Sequence, residues 1–248
     1  MKAYATTDRG RKRQINQDAV YYSTYPVGNI PNLFLVADGM GGHQAGDFAS
    51  KYTIDNLVRL VEEAEGNNPI TILNESIRQV NSLLLAKASE EAALAGMGTT
   101  LVAACTMGRV LCVANVGDSR LYVIGKEEIR QITRDHSLVE ELIQKGEMER
   151  GSDAYHEHKN IITRAIGAKK DVFADFFEVN LEKGDTVLMC SDGLSNMVSD
   201  DIIRELVADR ENLKEVCGDL IEEANKNGGR DNIAVVLFRL SDDEVREW

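Results

Sequence analysis

The apolar residues that could form a core are divided among six short runs, each bounded by turn residues. The runs cover residues 33–37, 99–105, 110–116, 121–124, 186–190 and 233–240. Apolar runs of this length between Gly, Asp and Asn are typical of buried β-strands. None approaches the roughly twenty apolar residues that a membrane-spanning helix needs. The sequence therefore predicts a protein built on β-sheets and not inserted in a membrane.

Helical periodicity marks four other segments, two before the central strands and two after them. Apolar residues recur three or four positions apart within residues 48–61, 72–84, 202–207 and 213–221. Helices that are grouped in this way, rather than alternating with strands, favour an α+β fold over a doubly wound parallel sheet. Each pair of helices can cover one sheet face, so we expect packed sheets with helices outside.

Composition narrows the possible partners and the compartment. The 248 residues include 41 acidic and 28 basic side chains, a formal net charge of −13. That balance argues against binding of duplex nucleic acid or of an anionic membrane surface. The four cysteines have no C-x-x-C spacing, and none is followed by the arginine of a cysteine-dependent phosphatase loop. We expect buried thiols in a cytoplasmic protein, one domain over residues 1–241, and a short tail over 242–248.

Aspartates stand where the predicted strands begin or end. Asp38, Asp118 and Asp192 follow strands, Asp231 precedes the last strand, and Asp18 precedes the first. A single aspartate in such a place is commonly a turn residue. Five of them would converge on one edge of neighbouring sheets, where they repel one another unless a cation binds. Oxygen ligands without nearby His or Cys favour Mg²⁺ or Mn²⁺ over Zn²⁺.

Such a carboxylate cluster suits hydrolysis of a phosphate ester. Two divalent ions about 3.5–4 Å apart can lower the pKa of a shared water, which then attacks phosphorus without a covalent nucleophile. The substrate phosphate also needs a cation, and Arg13 is a candidate because its planar guanidinium matches phosphate oxygens. The alternative is that Arg13 is one more exposed base in the basic run over residues 9–13.

Seven segments, in order along nearly the whole chain, resemble those of the PPM family, the metal-dependent type 2C protein serine/threonine phosphatases, and specifically its small bacterial branch. They are RQINQD at 13–18, VADGMGGH at 36–43, MGTT at 97–100, VGDSR at 116–120, DHS at 135–137, CSDGL at 190–194 and GGRDN at 228–232. Each short segment alone is a weak signal, whereas seven segments in the family's order are specific for the family.

The resemblance implies a four-layer α-β-β-α sandwich with two central, mainly antiparallel sheets. It implies that Asp38 bridges two metal ions and that the Gly39 carbonyl binds one of them. Asp192 and Asp231 would complete the site of the other ion. Asp118 would join Asp192 at a third metal site that is typical of bacterial members. We expect residues 97–100 to support this site structurally.

Arg13 falls where the family has its phosphate-binding arginine, but two positions depart from the animal members. Gln17 stands where they have a glutamate ligand, so we expect more water on the second metal, with Asp18 behind it. Met40 stands where they have a histidine that acts as general acid. That role is not transferred to His43, three residues further on, for which we expect a structural role in the loop.

Residues 142–164 are expected to form an irregular flap beside the metal centre that contacts substrate. His156 and His158 lie within it, and their spacing would place both on one side of an extended segment without a third ligand. A role in gating therefore fits the flap better than metal binding.

The function expected from these residues and from the resemblance is a Mn²⁺- or Mg²⁺-dependent hydrolase that dephosphorylates phosphoserine and phosphothreonine in proteins. The family implies phosphoprotein partners, among them a bacterial serine/threonine kinase, and we expect a monomer. Two alternatives remain open: a small-molecule phosphatase on the same fold, and a non-catalytic module that binds phosphopeptides.

Overall fold

Eleven strands form the centre of the molecule in the computed structural model, which describes residues 1–42 and 45–241. His43 and the predicted tail lie outside the described residues. The strands are β1 Lys2–Asp8, β2 Asp18–Ser23, β3 Leu33–Met40, β4 Gly98–Thr99, β5 Leu101–Met107, β6 Val110–Val116, β7 Arg120–Ile124, β8 Ile129–Gln131, β9 Asp175–Asn180, β10 Thr186–Cys190 and β11 Ile233–Arg239.

The strands form two antiparallel sheets. The first sheet has the order β1-β11-β10-β7-β8. The second has the order β2-β3-β5-β6-β9, and the short β4 pairs with β3. Gly108, in the left-handed region, and Arg109 form the hairpin turn between β5 and β6. The last strand in the chain, β11, therefore lies between the first strand and β10.

Helices cover the outer face of each sheet. They are α1 Ala45–Glu62, α2 Pro69–Glu90, α3 Leu138–Gln144, α4 Asp153–His158, α5 Asp192–Ser195, α6 Asp200–Val207 and α7 Leu213–Lys226. The pair α1 and α2 packs on the second sheet, and α6 and α7 pack on the first. The predicted four-layer α-β-β-α sandwich is confirmed. In the described residues, no helix combines the length and the apolar character that crossing a bilayer requires.

Strand β3 shows why the central strands contain continuous apolar runs. Leu33, Leu35 and Ala37 face the helices, whereas Phe34 and Val36 face the other sheet. Both faces of such a strand are buried, so the sequence reads as a continuous apolar run rather than an alternating one. Between the sheets, the ring of Phe34 stacks on the ring of Phe238 from β11, with the ring centroids 3.8 Å apart.

The expectation that residues 142–164 are irregular is wrong in part. Helix α3 extends to Gln144, and α4 occupies Asp153–His158. The Ser152 hydroxyl caps α4 by accepting a hydrogen bond from the Tyr155 amide at 3.3 Å. The backbone at positions 156 and 158 is therefore helical, and the expected extended geometry is absent there.

The predicted strand 99–105 is also interrupted. Its first residue, Thr99, belongs to β4, and β5 begins only at Leu101. The break falls at Thr100, whose hydroxyl accepts a hydrogen bond from the Asp38 amide at 2.9 Å. The break in the strand thus allows the Thr100 hydroxyl to hold the backbone near the end of β3. The four cysteines are free and buried, as expected.

Candidate metal centre

Two of the predicted site carboxylates are direct neighbours across β2 and β3. Asp18 and Asp38 are paired in the antiparallel register, which places their side chains on the same face of the second sheet. Asp18 is 4% exposed. The register alone therefore brings together two carboxylates that are twenty positions apart in the sequence.

The other three aspartates come from turns at the same end of the sandwich. Asp118 lies in the turn between β6 and β7, Asp192 is the first residue of α5, and Asp231 lies two residues before the start of β11. The charges of all three, together with that of Asp18, act on Asp38. The second sheet supplies the Asp18–Asp38 pair and the first sheet supplies Asp192 and Asp231, so the cluster lies at the junction between the sheets.

Burial and mutual repulsion raise the pKa values of four of these carboxyls, those of Asp18, Asp38, Asp118 and Asp192. Burial is the largest cause at each, and it raises the pKa of Asp38 well above its usual range, reinforced first by the Asp18 charge. The pKa of Asp18 rises to about 7 and that of Asp118 to about 8. Burial and the neighbouring Asp231 charge raise the pKa of Asp192 to about 6. The cluster thus lacks enough positive charge to keep every carboxyl ionised at neutral pH.

Three carboxylate oxygens in this cluster are buried without a hydrogen-bond partner: the Oδ1 atoms of Asp18, Asp118 and Asp192. The second oxygen of Asp18 accepts a 2.6 Å hydrogen bond from the Ser191 hydroxyl. The second oxygen of Asp192 accepts one of 2.9 Å from the Asn196 amide. Each of these two carboxylates thus has one oxygen held by the protein and one available as a ligand.

This donor set fits a hard divalent cation. The available atoms are carboxylate oxygens, which Mg²⁺ and Mn²⁺ prefer. Within the described ranges, no three His, Cys, Asp or Glu side chains form a complete ligand group by themselves. Backbone carbonyls and water would therefore have to complete the coordination of any bound ion, as they commonly do for Mg²⁺.

The backbone around Asp38 is fixed by two threonines that the sequence analysis expected only to support the site. Asp38 O accepts hydrogen bonds from the Thr100 amide and the Thr99 hydroxyl, both at 2.9 Å. The Thr100 hydroxyl also pairs with the buried Ser119 hydroxyl at 2.8 Å. Next to Asp38, a Cβ on Gly39 would collide with the Gly46 carbonyl oxygen. Glycine is therefore required at this position, where β3 meets the start of α1.

Arg13 lies beside the cluster, and its Nη2 contacts the Oδ2 atom of Asp231 at 2.7 Å. The arginine side chain is about half exposed and can therefore reach a ligand from solvent. Its loop is anchored by Asn232, whose side-chain amide donates to the Arg9 and Ile15 carbonyls at 2.9 Å. Asn232 is a site residue that the sequence reasoning missed, although it directly follows Asp231.

Comparison with known proteins decides the family. The family model described as "Protein phosphatase 2C" matches residues 7–237. The chain belongs to the protein phosphatase 2C family. The resemblance seen in the seven sequence segments is therefore confirmed, and so is the prediction of a phosphatase enzyme.

Individual members of the phosphatase 2C family align with nearly the whole chain. The serine/threonine phosphatase stp of Listeria monocytogenes is 41% identical over 248 residues, covering 96% of this chain and 95% of the relative. The crystal structure of Stp1 from Staphylococcus aureus superposes with a TM-score of 0.89 at 35% identity, covering 97% and 95% of the two chains. The catalytic domain of PstP in complex with two manganese ions gives 0.83 at 36% identity, covering 95% and 96%.

A small polar cavity lies beside the aspartate cluster of this phosphatase 2C chain. Its volume is about 20 Å³, and Asp118 and Asp192 line one side of it. Lys159, just after α4, also lines it and donates to the Asn196 Oδ1 atom at 2.8 Å. The positive charge of Lys159 lowers the pKa of Asp192, against the larger effects of burial and Asp231. A flap lysine therefore supplies positive charge where the resemblance expects a third metal ion.

Gln17 and Met40 occupy the two positions that depart from the animal members. The backbone N–H of Gln17 donates to the Asn232 Oδ1 atom at 2.9 Å, and the backbone carbonyl of Gln17 accepts from the Gly39 N–H at 3.1 Å. The Gln17 backbone therefore joins the loop of Arg13 to β3. Met40 ends β3 and carries no titratable proton. The expectation for His43 falls outside the described residues and stays a prediction.

Proposed function

We propose that this protein removes phosphate from phosphoserine and phosphothreonine residues of proteins and that Mn²⁺ or Mg²⁺ binds at its aspartate cluster. The proposal of a metal site rests on three buried carboxylate oxygens that have no hydrogen-bond partner. The substrate class is supported by the serine/threonine phosphatases to which the chain is similar.

The proposed ligands are those that the family resemblance implies, and the burial and charges of the cluster support them. Asp38 and the Gly39 carbonyl lie at the centre, where the charges of four other aspartates act on Asp38. We assign Asp192 and Asp231 to the second core ion and Asp118 with Asp192 to a third. Asp18 is held by Ser191 and fits a supporting place behind the core ions, through water. When bound, such ions supply an activated water for in-line attack and neutralise the charge of the phosphate.

Arg13 is proposed to bind the substrate phosphate. Its guanidinium already pairs with an anionic oxygen of Asp231, and about half of the side chain is open to solvent. A phosphate dianion accepts bidentate hydrogen bonds from such a planar group. We infer that Arg13 moves from Asp231 to the phosphate, or shares both, when substrate enters.

The test measures hydrolysis of p-nitrophenyl phosphate and of phosphoserine and phosphothreonine peptides, with Mn²⁺, with Mg²⁺ and with excess EDTA. We expect activity only with metal, and its loss in Asp38→Asn and Asp192→Asn. The matched control is Asp55→Asn, which changes an exposed aspartate on α1. Activity that survives chelation or both site substitutions would contradict the proposed metal centre.

A panel of phosphometabolites tests the substrate class. Hydrolysis of phosphopeptides with higher kcat/KM than any phosphometabolite is the expected result. The reverse order would favour a small-molecule phosphatase. Tight phosphopeptide binding without hydrolysis would favour a non-catalytic module.

We propose that His43 does not act as the general acid. The side chain that follows Gly39 is methionine, so a proton for the leaving alkoxide has to come from elsewhere, and water is the simplest donor. His43→Gln should leave the pH–rate profile unchanged, whereas a large loss of kcat would refute this proposal.

The cellular setting is also part of the proposal. Four free, buried cysteines support a reducing, cytoplasmic location. We propose that a serine/threonine kinase is among the phosphorylated partners and that the phosphatase acts as a monomer. Sedimentation of the purified protein would test the last point.

A further inference from the structure

A groove of about 750 Å³ is lined by Met40, two positions after Asp38, and by the exposed aromatic residue Phe173. Its apolar lining is provided by Met40, Ile162, Ala165, Ala168, Val172 and Phe173. The volume lies within the range of about 300–1,000 Å³ that is usual for ligand pockets. We call it the Phe173 groove.

Strand β3 links the Phe173 groove to the proposed metal centre, because Met40 lines the groove and Asp38 belongs to the cluster. Asp38 and Met40 are two positions apart on this strand, so their side chains project from the same face. Two residues of extended chain span about 7 Å. The Cα atom of Met40, which lines the groove, therefore lies about 7 Å along the strand from the Cα atom of Asp38.

The wall of the Phe173 groove is held rigidly. Thr99 and Ile166 exchange backbone hydrogen bonds of 3.0 and 2.9 Å. The Asn81 side chain of α2 accepts from the Gly167 amide at 2.7 Å and donates to the Lys169 carbonyl at 3.0 Å. The groove is thus preformed, and its wall is attached to the strand segment that also positions Asp38.

The base of the same wall is closed by Arg164. Its Nη1 donates to the Phe173 carbonyl at 3.2 Å and to the Asp175 carboxylate at 2.7 Å. These contacts fix the backbone beneath the Phe173 ring while the ring itself stays 71% exposed. The exposed ring and the apolar residues that line the groove together form a contiguous apolar surface, which is typical of a binding site.

The charges in the groove indicate the chemistry of its occupant. Two carboxylates, Glu141 and Asp171, and two cations, Arg164 and Lys169, line it, so the formal charges cancel. Neither an acidic nor a basic segment gains net attraction from such a lining. An uncharged, apolar side chain is complementary to the apolar lining and to the exposed ring.

We propose that the Phe173 groove binds an apolar side chain of the phosphoprotein substrate, two residues from the phosphorylated residue. Alternate side chains of an extended peptide point to the same side, and their spacing of about 7 Å equals the offset between Asp38 and Met40. The inference rests on the proposed function, because it requires a polypeptide substrate.

The experiment uses phosphoserine peptides in a neutral Ala/Gly background, with one leucine moved through the four positions on either side of the phosphoserine. We expect the wild-type enzyme to show a kcat/KM about five- to tenfold higher when the leucine is two residues from the phosphoserine. Phe173→Ala should reduce this preference to less than twofold. Ala168→Trp, which fills the groove from an exposed position, should abolish it.

The matched control is Tyr25→Ala, which removes an aromatic side chain that is 78% exposed, at the opposite end of the β2–β3 hairpin from Asp38. It should retain the leucine preference. Hydrolysis of p-nitrophenyl phosphate, which has no flanking residues, should be the same in all three variants as in the wild type.

Three results would overturn the inference: a flat leucine profile in the wild type, a preference that survives both groove variants, or an equal loss of p-nitrophenyl phosphate activity in Phe173→Ala. If the enzyme hydrolyses p-nitrophenyl phosphate but none of the phosphopeptides, the proposed function itself fails, and the inference fails with it.

Discussion

Replacement of Asp18 by Asn should change how the stability of the metal-free protein depends on pH. Burial raises the pKa of Asp18 from 3.8 to about 7, with further contributions from the Asp192 and Asp231 charges and against the Ser191 hydrogen bond. In the unfolded chain the carboxyl ionises near its ordinary pKa. Between the two pKa values the folded state retains a proton that the unfolded state has released. Wild-type stability therefore falls as pH rises through this range.

The size of the effect follows from the shift. One pKa unit corresponds to about 1.4 kcal/mol, so a shift of about three units costs about 4 kcal/mol once the pH exceeds 7. Neighbouring carboxyls share this repulsion, and Asn adds a buried amide donor, so we expect about 2 kcal/mol as the net gain. Asp18→Asn should thus raise the free energy of unfolding by about 2 kcal/mol at pH 8 relative to wild type, and by little at pH 4.

The assay is urea unfolding of chelator-treated protein, followed by far-UV circular dichroism between pH 4 and pH 8. Asp55→Asn, on the exposed face of α1, is the control and should show no such trend. A variant that is less stable than wild type at pH 8, or a difference that is the same at pH 4 and pH 8, would refute the reasoning. Adding Mn²⁺ should reverse the ranking, because tighter metal binding stabilises the folded state more and Asp18→Asn removes a carboxylate beside the metal site.

Three further substitutions test the site. Arg13→Lys should lower kcat/KM for p-nitrophenyl phosphate by about tenfold, because an ammonium cannot bind phosphate bidentately; an unchanged value contradicts the phosphate role. Ser191→Ala should weaken Mn²⁺ binding about 10- to 100-fold in calorimetric titration, because it frees the carboxylate of Asp18; an unaltered titration contradicts this positioning. Lys159→Met should strengthen Mn²⁺ binding beside Asp192 in electron paramagnetic resonance titration, because a competing cation is removed; weaker binding contradicts that competition.

The central strands could be predicted from sequence, whereas the edge strands could not, and burial explains the difference. Strands β3, β6, β7 and β10 are buried on both faces and read as continuous apolar runs. The four strands that the sequence analysis missed, β1, β2, β8 and β9, are the outer strands of the two sheets. Their exposed positions hold polar residues, as in Lys2–Asp8, so no apolar run marks them.

The aspartates of the site could be predicted because each adjoins an apolar run. The residues that orient them could not, because a hydroxyl or an amide in a turn leaves no periodic pattern. Ser191 contacts Asp18 across 173 positions of sequence, and Asn232 contacts the Ile15 carbonyl across 217. Only the packing of the two sheets brings these pairs together. One weak signal was available, since both residues stand directly beside a predicted ligand.

The position of β11 has a consequence for how the enzyme is made. Its neighbours in the first sheet are β10 and β1, and β1 pairs with no other strand in the described residues. Asp231 lies two residues before β11, so both the pairing of β1 and the completion of the cluster require the same late segment of the chain. A ribosome-bound chain that stops before residue 231 therefore has an unpaired N-terminal strand and an incomplete cluster of carboxylates. Phosphatase activity should accordingly appear only after β11 has been synthesised.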